Sequence, residues 1–69
     1  MHENEIKNAA LQILKESGIT DDIITLPVQA ALDHIAYLLE IELLFEIIDE
    51  NDYNEYNLKL ERLRTHLKN

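Results

Sequence analysis

A chain of 69 residues without cysteine is one domain near the lower limit of what a single hydrophobic core holds together, and no disulfide staples it. Fourteen acids against six bases give a formal charge of −8, which argues against general affinity for nucleic acid or anionic lipid. The three histidines, His2, His34 and His66, stand too far apart to suggest a zinc knuckle, so oligomerisation or efficient helix packing is the expected source of extra stability.

The opening MHENEIKN has neither a basic nor an apolar leader segment, and with no cysteine the expected location is the cytoplasm. A first helix is predicted over residues 3–17. Acids at its start suit the helix macrodipole, Ile6, Ala10, Ile13 and Leu14 make an apolar stripe, and Ser17-Gly18 is a stop signal. Residues 18–26 read as a packed connector, in which Thr20-Asp21-Asp22 caps a single turn holding Ile23 and Ile24 while Leu26 tucks onto the core.

Pro27 opens the second helix, because proline is tolerated in a first turn and excluded further in. Nothing breaks the pattern until about Asn51, so a long central helix over residues 27–50 is predicted, about 36 Å at 1.5 Å per residue. Asp33, His34, Glu40, Glu42 and Glu46 interrupt its apolar run and rule it out as a membrane span. On a helical wheel of about 100° per residue, Val28, Ala31, Leu32, Ile35, Leu38 and Leu39 share one sector. Beyond Glu40 the same sector holds Glu42, Glu46, Asp49 and Glu50, and the aliphatic residues move to the opposite side. A straight helix with two buried faces needs a second cover, which a homodimer supplies through Leu43, Leu44, Phe45, Ile47 and Ile48. The other solutions are a break near residues 40–42, for which no proline or glycine is present, and a last helix folded back over the second half.

The third helix is predicted over residues 53–68, opened by Asp52 with Glu55 three residues on, a capping-box pattern. Tyr53, Tyr56, Leu60, Leu63 and Leu67 recur at intervals of three and four, the spacing of a packing seam, and Leu58 alone departs from it. Lys59, Arg62, Arg64 and Lys68 suit the negative end of the macrodipole and leave residues 59–69 at +3 against −11 for residues 1–58.

The predicted fold is therefore all-α, a small three-helix protein with a long central helix that forms a helical homodimer. Chemistry finds little purchase. There is no cysteine nucleophile, glycine-rich phosphate loop, His-Glu-x-x-His or serine elbow, so no enzyme, cofactor or metal is expected. Asp49, Asn51, Tyr53 and Glu55 alternate like the start of a calcium-binding loop, but Asn54 and Leu60 occupy the positions that need glycine and glutamate. His34 reads as a boundary residue, and Tyr37, Tyr53 and Tyr56 as packing or interface residues. The expected function is that of a non-enzymatic protein–protein interaction module, an adaptor or inhibitor of a larger protein. Glu42, Glu46 and Asp49 would bind that partner through charge steering followed by apolar burial. Two alternatives stand beside it: an acidic mimic of nucleic acid that occupies a DNA-binding protein, and a structural subunit that only self-assembles.

Overall fold

In the computed structural model, residues 2–20, 22–23 and 25–68 are described, the side chain of Lys68 aside. Asp21 and Ile24 of the expected connector turn, and the Lys68 head group, lie outside them. The described residues form three helices and no strand: α1 (Glu3–Ser17), α2 (Val28–Leu44) and α3 (Glu50–Lys68).

The first helix ends as its residues dictate. Gly18 sits at φ 99°, its N–H donates to the Lys15 carbonyl at 3.1 Å, and the Ile19 N–H reaches back to Leu14 at 3.3 Å. This is the paired-bond Schellman stop, in which a left-handed residue satisfies the last carbonyls. Pro27 lies just outside α2 as its N-cap, and its carbonyl accepts from Ala31 at 2.9 Å.

The ion pairs and hydrogen bonds set the directions of the helices. The first half of α3 meets late α1, since Tyr56 bonds the Glu16 carbonyl and Lys59, at mid-helix, bonds its carboxylate, and late α3 meets early α2 through Arg64 and Asp33 at 3.0 Å. Thus α3 runs antiparallel to both, and α1 and α2 run the same way. Their C-terminal ends touch where Ser17 meets Glu42. A parallel pair needs a connector long enough to return along the helix, and residues 18–27 supply it. That segment is not idle: Ile23 is fully buried and Leu26, whose N–H donates to the Ile23 carbonyl at 3.1 Å, packs against the core.

The core is assembled from the predicted stripes. Ile6, Ala10, Ile13 and Leu14 of α1 meet Val28, Ala31, Leu32, Ile35 and Leu39 of α2, and Leu60 and Leu63 of α3 close the third side. Tyr53, Tyr56 and Leu67 pack partly buried on the same seam, while Leu58, off the pattern, is exposed. No helix among the described residues is long and apolar enough to cross a membrane.

The predicted helix over residues 27–50 differs most. It stops at Leu44, making α2 comparable in length to its neighbours, 17 residues against 15 and 19. The stop repeats the end of α1 without a glycine: Glu46 takes φ 60°, its N–H donates to the Leu43 carbonyl at 3.1 Å, and the Ile47 N–H donates to the Glu42 carbonyl at 2.8 Å. A side chain in this left-handed conformation costs about 1–2 kcal/mol. What offsets it is the wheel itself. A continued helix would carry Glu46, Asp49 and Glu50 onto the sector that faces the core. The turn instead leaves all three exposed and folds Ile48 back to 8% exposure in the core. The point where the apolar face changes sides is a helix end.

Candidate functional site

The turn from α2 into α3 gathers most of the residues singled out in the sequence, and separates them into three roles. Glu42 is buried completely, at 0% exposure. It continues the core stripe of Ile35 and Leu39, and its side chain meets the end of α1. The Ser17 hydroxyl faces two acceptors with one proton, the Leu14 carbonyl at 2.7 Å and Glu42 Oε1 at 2.9 Å. Glu42 Oε2 is buried without a hydrogen-bond partner among the described residues. A buried carboxyl so poorly supplied with donors costs stability, and its one side-chain hydrogen bond among the described residues links α2 to the end of α1 through Ser17. As a contact for a partner, Glu42 is out of reach.

Asp49 has a structural task as well. Its Oδ1 accepts the Asp52 N–H at 2.8 Å, and its carbonyl accepts the Tyr53 N–H at 2.9 Å. Asp49 is thus the N-cap of α3, which begins at Glu50, three residues ahead of the predicted start, with Asp52 in its first turn. An acid here also complements the positive end of the helix. The carboxylate stays exposed. Of the three acids Glu46 is the one that is exposed with no side-chain partner among the described residues, displayed by its own left-handed backbone.

The apolar residues of the turn divide in the same way. Ile48 belongs to the core, and Leu43 is partly buried against it. Leu44, Phe45 and Ile47 point outward, at 76%, 69% and 65% exposure. Three large apolar side chains within four residues, on one corner of a chain whose other helices hide nearly all of theirs, form a patch rather than scattered surface residues. Glu46 stands among them and Asp49, Glu50 and Asp52 follow, so the patch has an acidic border.

At the same end of α1, a second polar cluster ties α1 to α3. The Tyr56 hydroxyl donates to the Glu16 carbonyl at 3.1 Å, and Lys59 Nζ lies 3.2 Å from Glu16 Oε2 and 6.0 Å from the Tyr56 ring centre. Desolvation raises the Tyr56 phenol above its usual 10.0, and the charges of Asp52, Glu16 and Glu55 add to the rise against Lys59. The residues that resembled a calcium loop, Asn51, Tyr53 and Glu55, lie on the helix α3.

The pairing of Ser17 with Glu42 is not legible in the sequence, because the two are 25 residues apart and joined only by the parallel packing of α1 and α2. Comparisons with protein-family models, with curated proteins and with solved structures find no match, and the functional reading rests on the chain's own residues.

Proposed function

We propose that this chain is a small, non-enzymatic protein–protein interaction module, an adaptor or inhibitor that acts by occupying a surface of a larger protein. The observation that supports it is the corner of Leu44, Phe45 and Ile47, all exposed within one turn of chain and flanked by exposed acids. The partner chemistry it calls for is an apolar recess with a basic rim. Glu46 and Asp49 steer the encounter, and burial of the three apolar side chains holds the complex. Glu42 takes no direct part, because it is buried in the core against Ser17.

Homodimerisation is the second reading, favoured by the same exposed corner. A two-fold contact there places Glu46, Asp49 and Glu50 of one copy beside those of the other, a like-charge arrangement that weakens it. A nucleic-acid mimic would rely on its acids alone, and the apolar corner favours the module.

Photo-crosslinking from position 45 in native extract, followed by identification of the crosslinked chain, tests the proposal. A discrete larger protein is expected, lost when Leu44 and Ile47 are changed to serine and kept when the exposed Leu58 is. Equal crosslinking by both variants would refute the corner as the contact. A product of twice the chain's own mass would favour the dimer, and release of the partner by DNA the mimic.

A further inference from the structure

The surface chemistry demanded of a partner, an apolar recess with a basic rim, occurs on this chain itself. Between α1 and α3 runs an open groove of about 430 Å³. Two facing helix stripes build it, with Ala9 and Ile13 on α1 opposite Leu63, Arg62 and His66 on α3. Its floor is Ala9, Ile13 and Leu63. At one end Lys59 pairs with Glu16 at 3.2 Å. Arg62 and His66 are exposed and have no hydrogen-bond or ion-pair partner among the described residues. Of the cations of the basic C-terminal segment, Lys59 and Arg62 line the groove, with Glu16 beside Lys59, so that Arg62 is the cation it offers next to the apolar floor.

We infer that the groove receives the Leu44–Ile47 corner of a second copy, in a head-to-tail contact. The two surfaces match in character. The corner carries an aromatic and two aliphatic side chains around an exposed carboxylate, and the groove offers an apolar floor beside a guanidinium that is unpaired among the described residues. Phe45 and one of its neighbours enter the groove, and Glu46 meets Arg62, a pair whose fork geometry suits a carboxylate. None of the corner residues lines the groove of its own chain. Each copy therefore keeps one corner and one groove free after the first contact, and assembly continues or closes into a ring. The contact is small, of the weak and transient class, so it operates at high local concentration. It rests on the proposed role of the corner and names a second occupant for it. Binding of a larger partner and self-assembly then exclude one another.

Two variants of the full chain separate this from a corner-to-corner dimer, and growth of the wild type beyond two copies separates it from a reciprocal pair. Phe45→Ser removes the corner and keeps the groove; Arg62→Glu removes the groove and keeps the corner. Both positions are exposed, and circular dichroism checks that each variant is folded, with Ile47→Ser and His66→Glu as substitutes for either. Sedimentation is followed up to about 1 mM. The wild type is expected to grow beyond a dimer with concentration, and each variant alone to associate about 10-fold more weakly or not at all. An equimolar mixture of the two variants is expected to form a one-to-one pair and stop there. Self-association unchanged by Arg62→Glu overturns the inference in favour of a corner-to-corner dimer. A wild type that stays monomeric throughout overturns it too, and in that case loss of the larger partner in Leu44/Ile47 variants still upholds the corner as that partner's contact.

Discussion

Replacing Glu46 with glycine should stabilise the protein, although it deletes an acidic residue from an exposed turn. The backbone there sits at φ 60°, a conformation that costs a side-chain-bearing residue about 1–2 kcal/mol. Glycine removes that cost but adds about 0.5–1 kcal/mol of unfolded-chain entropy. At the middle of both ranges, about 1.5 less about 0.75, the net gain is about 0.75 kcal/mol. With a urea slope of about 1 kcal/mol/M for so small a domain, the midpoint rises by about 0.5–1 M. The thermal midpoint rises by about 2–8 °C. Gly18 supplies the reciprocal control, because it holds the same position at the end of α1, at φ 99°, with nothing within 4 Å of where a Cβ would stand. Gly18→Ala therefore tests the backbone term without a steric clash, and should cost about 1 kcal/mol. Urea titrations of the two variants beside the wild type decide the matter. A Glu46→Gly protein of equal or lower stability, with Gly18→Ala destabilised as expected, would refute the reasoning and give the Glu46 side chain a stabilising contact of its own.

The contact between Ser17 and Glu42 makes a second prediction. Ser17→Ala leaves the buried Glu42 carboxyl without its donor and should cost about 1–3 kcal/mol, whereas Glu42→Leu should be close to neutral and should make the loss of Ser17 much smaller in the double variant. Additive losses in that cycle, measured by urea denaturation, would show that the two side chains are not coupled. Asp49→Ala should cost about 1 kcal/mol by uncapping α3, and Asp49→Ser should recover most of it; equal losses would remove the cap from the account. Tyr56 sets an alkaline limit. Its folded pKa is raised above the unfolded 10.0, so the folded chain holds the phenolic proton longer. That contribution is complete below pH 10.0 and is lost as pH climbs from there through the folded value. The stability difference between wild type and Tyr56→Phe should accordingly shrink above pH 10.0, and a constant difference would contradict it.

Helix content, the three apolar stripes and the stop at Gly18 were legible because each is a local property: periodicity decides which residues of a helix share a face, and glycine marks where the chain adopts the left-handed region most cheaply. The odd position of Leu58 in the α3 seam was legible for the same reason, and it is exposed. The wheel also located the point at which the second stretch changes sides. It did not reveal what the chain does there. Residues 40–50 contain no proline or glycine, so local preference alone runs the helix through and presents the candidate acids as one of its faces.

The end of α2 at Leu44 is a decision of the tertiary structure, since a single core admits Glu42 at most and would have to take Glu46, Asp49 and Glu50 next. Turning at a strained Glu46 costs about 1–2 kcal/mol, and carrying ionised carboxylates into that core costs far more. The same packing sorts Leu39 and Ile48 into the core, Glu42 into a buried contact with Ser17, Asp49 into a helix cap, and Leu44, Phe45 and Ile47 into an exposed corner. The sequence by itself determined which residues are apolar and how they recur. Which of them remain outside, free to meet another molecule, depended on where α1 and α3 lay against α2, because burial is a property of the assembled helices and not of any one of them.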